Sequence, residues 1–293
     1  MIGHLPKPIF APPATLFLAS SPDVSAPQAA LFGAPLDLTE TFRSGAHAGP
    51  GAVRYVSDSL ETYSPTLDRD LDDVPLADLG DLLLDGRAMA DALEQIAQAM
   101  AHATSAAHLG IMIGGEHTAS LGGFRGLRRV HPDAVIVQLD AHLDMRAEYA
   151  GEPFTHATWL HRVGDEFGFD IIHQAGLRSG ERAEWQFARA HTAWSSPHLS
   201  LPAEIRDRIG QRPVYVSIDI DVLDPAHAPG TGCPEPGGVT FRELAEFLYG
   251  LHGLRVVALD VMEVSPQVDA ANITAAAAAK LIREAVLLFA APG

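Results

Sequence analysis

Short apolar runs that end near Gly or Asp alternate along this chain with longer stretches of helical character, and that alternation limits the fold more than any other feature. The runs are Ala29 to Gly33, Leu109 to Ile113, Ala134 to Leu139, Asp170 to Ala175, Val214 to Ile218 and Val256 to Leu259. Each spans four to six residues, a strand length rather than a helix length, with Val and Ile prominent. Strands that are apolar on both faces fit a parallel sheet covered on each side by helices. Between them, Arg87 to His108 places Met89, Leu93, Ile96 and Met100 three and four residues apart along one helical face. Thr240 to Gly250 and Thr274 to Phe289 follow the same logic, each opening with a threonine suited to N-capping. The expected architecture is a single-domain, three-layer α/β/α fold with a central, mostly parallel sheet. No internal repeat or linker divides the chain. The Pro-rich residues 1–25 read as an arm or irregular cover outside the sheet, and residues 26–293 as one domain.

Charge narrows the function. With 20 Lys and Arg against 37 Asp and Glu, the 293-residue chain carries a formal charge of −17. No Lys/Arg-rich run supplies the basic face that phosphate binding needs, which argues against a nucleic-acid partner. An acidic protein suits a cationic small molecule instead. Cys233 is the only cysteine, so no internal disulfide forms and a cytoplasmic location is expected. The apolar stretch from Ile9 to Ala19 is interrupted by Pro12 and Pro13 and has only Lys7 as a basic flank, unlike a secretion signal. Lys280, Arg283 and Glu284 inside the last helical pattern exclude a membrane crossing there.

Four of the strand candidates run directly into clusters of metal-ligand residues. Ile111-Met-Ile-Gly-Gly-Glu-His117 ends in a histidine, and the run through Leu139 continues as Asp140-Ala-His142-Leu-Asp144. Tyr215-Val-Ser-Ile-Asp219-Ile-Asp221 adds two aspartates, and Val256-Val-Ala-Leu-Asp260-Val-Met-Glu263 closes on a glutamate. In open parallel sheets, ligands bind beyond the carboxyl ends of the strands, so clusters distant in sequence can meet in one crevice. Side chains at i and i+2 on extended chain point the same way, which aims Asp140 with His142 and Asp219 with Asp221. Gly114 and Gly115 allow a tight turn ahead of His117. Any one of these residues has an ordinary reading as a turn former or cap. Together, four aspartates and two histidines exceed what one ion uses, and two divalent cations roughly 3.5 to 4 Å apart would use them. A carboxylate-rich, partly imidazole donor set points to manganese, with cobalt, iron or nickel as substitutes.

These motifs resemble the ureohydrolase (arginase and agmatinase) family through Gly-Gly-Glu-His117, Asp140-Ala-His142-Leu-Asp144, Ser217-Ile-Asp219-Ile-Asp221-Val-Leu-Asp224-Pro225 and Glu263-Val-Ser-Pro266. The likeness runs from about Gly33 to Ala285, taking in Arg43-Ser-Gly-Ala-His-Ala-Gly-Pro50, Gly176-Leu-Arg-Ser179 and Pro229-Gly-Thr-Gly-Cys-Pro-Glu-Pro-Gly-Gly238. It implies an eight-stranded parallel sheet and two Mn2+ per chain. His117 and Asp144 would bind one ion, His142 and Asp221 the other, with Asp140 and Asp219 bridging. It also implies that Glu263 grips the guanidinium and that His156, in Phe154-Thr-His156-Ala, contacts substrate and shuttles a proton, a task shared with Asp144. Glu116 and Thr118 stand where Asp and Ser are common, departures expected to leave His117 unaffected.

The segment from Asp144 to His156 resembles agmatinases, with Arg146 where arginases carry an Asn. The implied reaction takes agmatine to putrescine and urea, a step of arginine metabolism and polyamine biosynthesis, in a homotrimer or homohexamer. Arg146 is expected to pair with Glu148 or Glu152. Unpaired and pointing inward, it would favour guanidinobutyrate. The other readings are an arginase-type ureohydrolase, a single-zinc deacetylase-like amidohydrolase and a non-catalytic metal-binding module.

Overall fold

The computed structural model describes residues 9–290. Its strands are β1 (Phe10–Ala11), β2 (Ala29–Ala34), β3 (Tyr63–Ser64), β4 (Arg69–Asp70), β5 (Leu76–Leu82), β6 (Leu109–Gly114), β7 (Val135–Leu139), β8 (Ile172–Ala175), β9 (Trp194–Ser196), β10 (Val214–Asp219) and β11 (Val256–Met262). The helices are α1 (Gly49–Ser57), α2 (Met89–Ala106), α3 (Ala119–Val130), α4 (Trp159–Phe167), α5 (Arg182–His191), α6 (Ala203–Ile209), α7 (Phe241–Gly250) and α8 (Ile273–Phe289). The six expected strands are β2, β6, β7, β8, β10 and β11, with small shifts at their ends.

The main sheet has the order β1-β5-β2-β6-β11-β10-β7-β8-β9. Its strands run parallel from β5 to β9, the eight expected, and β1 adds a short antiparallel edge. The Pro-rich segment is therefore not wholly outside the sheet: Phe10 and Ala11 pair with Leu82 and Asp81. The rest of the expected arm and domain, residues 1–8 and 291–293, lies outside the described residues. Helices α2 and α3 pack together, as do α1 and α8, and both pairs lie against β6, so the sheet is covered on both faces. No helix among the described residues is long and apolar enough to cross a membrane.

Strand β5 escapes a hydrophobicity reading because Asp78 and Asp81 interrupt it. Its charge is neutralised from α1, where fully buried Arg54 donates to both oxygens of Asp78, from Nε at 2.8 Å and Nη2 at 2.9 Å. Asp78 also accepts the Phe17 backbone N–H at 3.0 Å, which ties the N-terminal segment to the sheet. Thr240 caps α7 in a reciprocal box with Glu243, as its position predicts. Thr274 does not cap α8: it lies within the first turn, its Oγ1 accepts from Gly230 N–H at 2.7 Å, and Asp269 accepts its own N–H at 2.7 Å. His173 is buried on β8, where burial depresses its pKa to about 4.

The four strands that carry ligand clusters, β6, β11, β10 and β7, are consecutive in the sheet. Because they are parallel, their carboxyl ends form one rim. His117, Glu263, Asp219 with Asp221, and Asp140 to Asp144 all emerge there.

Candidate active site

Two triads of donors form at this rim. The ligand atoms of His117, Asp140 and Asp219 all lie within 4.8 Å of one another, as do those of Asp140, His142 and Asp221. Asp140 belongs to both, the arrangement expected of a bridging carboxylate. Asp219 joins the His117 triad, and its other oxygen accepts the Asp221 backbone N–H at 2.9 Å. Asp144 approaches His117 Nδ1 at 3.3 Å, beside Asp140 at 3.2 Å and Asp219 at 3.0 Å. The second triad closes through His142 Nδ1, 2.8 Å from Asp221 Oδ2.

The orientation of His117 fits a cation rather than a network of hydrogen bonds. Its Nδ1 is buried amid three carboxylates yet makes no directed hydrogen bond to any of them. Its Nε2 lies 2.9 Å from Ser217 Oγ, so a proton there leaves the Nδ1 lone pair facing the anionic cage. Ser217 continues to Ser120, and Ser120 and Tyr215 both donate to buried Asp260, at 2.7 and 2.6 Å. Gln138 donates to Asp140 Oδ2 at 2.6 Å. The candidate ligands are thus held from behind by the protein itself.

Electrostatics agree with that reading. Burial alone lowers the pKa of His117, but Asp140, Asp144 and Asp219 override it and raise it well above the ordinary value. His142 is likewise pushed up to about 11, its burial outweighed by Asp221. Burial and then Asp221 raise Asp219 to about 7, and burial with Asp144, Asp219 and Asp221 raises Asp140. A cluster this acidic holds protons where cations would sit, and divalent ions would displace them.

The backbone commits strain to two of the implied functional residues. Asp144 and Glu263 have φ values of 53° and 63°, left-handed conformations that cost non-glycine residues on the order of 1 kcal/mol each or more. Glu263 Oε1 accepts the His117 backbone N–H at 2.7 Å, and the Glu263 N–H donates to Gly115 O at 2.9 Å, which lock β11 to the end of β6. Gly114 and Gly115 serve close approach rather than a turn of unusual φ. A Cβ on Gly115 would lie 1.9 Å from Leu36 O, and one on Gly114 would lie 2.1 Å from the Met262 side chain.

Above the triads opens a cavity of about 420 Å3 lined by His142, Asp144, His156 and Glu263, among others. His156 is fastened through Thr39, whose Oγ1 accepts the His156 backbone N–H at 3.1 Å and lies 3.3 Å from its Nδ1. Glu116 holds the same threonine, accepting from Thr39 Oγ1 at 2.7 Å. The substitution of Glu for Asp at 116 therefore bears on the position of His156 through Thr39. Arg146 pairs with neither Glu148 nor Glu152. It reaches Glu184 at 3.2 Å and Glu181 at 3.4 Å, with its guanidinium 4.7 Å from the centre of the Tyr149 ring. Those partners lie in another loop and helix, beyond what local spacing can suggest. Cys233 lines the cavity as a neutral thiol, pushed up to about 12 by burial and then by Glu263.

Sequence reasoning also missed Glu40, whose side chain faces the cavity, and Trp159, whose indole N–H donates to Asp144. Neither sits in a periodic pattern or at a predicted strand end. The acidic residue inside Asp37-Leu-Thr-Glu-Thr-Phe-Arg43 was the one visible signal for Glu40.

Comparison with known proteins accords with this geometry. The chain is 37% identical over 276 residues to an agmatinase of Bacillus anthracis, covering 93% of this chain and 95% of that protein. It is 34% identical over 278 residues to a guanidinobutyrase of Pseudomonas aeruginosa, covering 90% and 87%. The solved proclavaminate amidinohydrolase of Streptomyces clavuligerus superposes with a TM-score of 0.84 at 32% identity, covering 97% of each chain. The profile of the Arginase family matches residues 27–288. With the matched span taking in every residue of the two triads, this chain belongs to the arginase family.

Proposed function

We propose that this protein hydrolyses a guanidino compound to urea and an amine, with agmatine as the favoured substrate and putrescine as the amine. The observation that carries the reading is the pair of donor triads sharing Asp140, set beneath a cavity into which Glu263 projects. His117 and Asp144 would hold one ion in this reading, His142 and Asp221 the other, with Asp140 and Asp219 shared. When bound, two divalent ions, manganese before cobalt, iron or nickel, acidify water and supply Lewis-acid charge.

The residues supply the rest. Glu263 has one oxygen committed to the His117 N–H, and its Oε2 accepts from the guanidinium by a charge-assisted bond. That bond places the guanidino carbon over the donors and orients it for attack. Asp144 has Oδ2 occupied by Trp159, so Oδ1 accepts from the attacking water and takes up its proton. His156, anchored through Nδ1 and its backbone to Thr39, delivers a proton from Nε2 to the leaving amine.

Pairing of Arg146 with Glu184 and Glu181 supports agmatine over guanidinobutyrate, because the arginine is not free to receive a carboxylate. The family resemblance implies a homotrimer or homohexamer, the single cysteine a cytoplasmic location, and the lack of a dividing linker a single catalytic unit from residue 26 onward. Sedimentation, cell fractionation and a truncation at residue 26 test these. The central test is urea release by manganese-loaded protein from agmatine, arginine and guanidinobutyrate. Fastest turnover of agmatine supports the reading, and no urea from any of the three ends it. One ion per chain rather than two would favour the single-zinc deacetylase alternative.

A further inference from the structure

Glu40 lies between β2 and α1, on the wall of the same cavity. Both of its carboxylate oxygens are shielded from solvent and lack a well-formed hydrogen bond, with the Glu263 carboxyl close by. The chain beside it is fixed from behind. Glu116 accepts the backbone N–H groups of Leu38 and Thr39, each at 2.5 Å, so the loop cannot relax freely to bring Glu40 into water. Across the cavity wall stands Gly232. A Cβ there would lie 3.6 Å from Glu263 Oε2 and 3.8 Å from Glu40 Oε2, so the glycine leaves a notch flanked by two carboxylates.

Placing two carboxylates in this setting is unfavourable. Burial, then Asp37 and Glu116, push Glu40 up to about 8. A buried carboxyl in such a place ionises where a cation compensates it. A metal ion is a poor candidate, because Glu40 belongs to neither group of donors that lie within 4.8 Å of one another. A guanidinium is a better one: it is planar, permanently charged and rich in N–H donors directed outward, so it can donate to two neighbouring carboxylates at once.

We propose that Glu40 is a second guanidinium-binding residue, gripping the substrate's head together with Glu263 beside Gly232. This rests on the guanidino-hydrolase reading above and deepens it. Because Glu263 has already given one oxygen to the His117 backbone, the second carboxylate supplies acceptors that Glu263 lacks. The pair selects a cationic head over a neutral amide or acylamine. It acts on the end common to all guanidino substrates, so it does not choose among their tails.

The test compares wild type, Glu40→Gln and Glu40→Asp, all manganese-loaded, on agmatine and guanidinobutyrate, with metal content and melting temperature recorded for each. Glu40→Gln is expected to raise KM about tenfold or more for both substrates, by similar factors and with a smaller change in kcat. The Ki of free guanidinium ion as a competitive inhibitor should rise in parallel, and Glu40→Asp should restore part of the loss. Metal content should equal that of wild type, and the melting temperature should hold or increase because a buried charge has been removed. Unchanged KM for both substrates overturns the proposal. So does a fall in bound metal, which would make Glu40 part of the metal centre, or a KM change confined to one substrate, which would make it a tail contact. Absence of urea release by wild type would instead sink the catalytic reading, and the role of Glu40 with it.

Discussion

The indole N–H of Trp159 donates to Asp144 Oδ2 at 2.7 Å, while the same ring lies 4.6 Å, centroid to centroid, from the imidazole of His117. One fully buried side chain at the start of α4 thus orients donors from two different strand ends. It also leaves a single oxygen of Asp144 free to face the cavity.

Trp159→Phe keeps an aromatic ring but removes the donor. Outer partners of metal ligands typically contribute about 10- to 100-fold in affinity or activity. We expect kcat to fall within that range, with weaker metal retention and a stability loss of about 1–3 kcal/mol from the lost bond and the residual space. Kinetics, metal content and denaturant unfolding measure these three effects. Wild-type kcat in the variant would show that Asp144 needs no such support.

Asp140 is the donor shared by both triads. Asp140→Asn should therefore strip both ions and abolish activity, whereas His142→Asn should weaken mainly one. Asp219→Asn separates two possibilities: loss of both ions supports its bridging role, and loss of one assigns it to the His117 triad alone. Elemental analysis of dialysed protein reads each case directly.

Metal loading should be strongly pH-dependent. In the metal-free fold, His142 holds its proton up to about 11 and Asp219 up to about 7. Ligation requires neutral imidazole and ionised carboxylate, so each binding event releases protons and apparent affinity rises with pH. The slope should be steepest below about pH 7 and shallower above it, once Asp219 is ionised. For stability the sign runs oppositely: the raised pKa of His142 stabilises the metal-free fold fully below its unfolded value of 6.5, and this is lost as pH rises through 11. Calorimetric titration in buffers of different ionisation enthalpy counts the protons. A pH-independent affinity would contradict the coupling.

Glu184 neutralises Arg146 at the cavity wall. Glu184→Gln should free the guanidinium to accept a substrate carboxylate, raising the ratio of guanidinobutyrate to agmatine turnover by about tenfold, the worth of one charge-assisted bond. A ratio that stays constant would indicate that Glu181 alone holds Arg146 in place. Competition assays with both substrates present provide the measurement.

Much of this site was legible before any coordinates. The six donors lie at or just beyond strand ends, where an apolar run stops and its direction is set, and i, i+2 spacing aims neighbouring side chains together. His117, Asp140, His142, Asp219 and Asp221 meet as that argument requires. Less legible was everything that depended on pairing across the chain. Strand β5 was hidden by aspartates that both pair with Arg54, and β9 is three residues long. The partners of Arg146 lie 35 and 38 positions away, so local spacing favoured Glu148 and Glu152 instead.

Sequence alone determined the parallel α/β framework and the candidate metal donors, because both follow from short-range periodicity and from residue chemistry at strand ends. Only the tertiary structure decided how the loops above the rim are used: that Glu116 grips Thr39 and through it His156, that Trp159 orients Asp144, and that Glu40 lies near Glu263 beside Gly232. Those relationships join segments about 80 to 220 residues apart in the two loop cases, and no local pattern encodes which distant loop will close over a site.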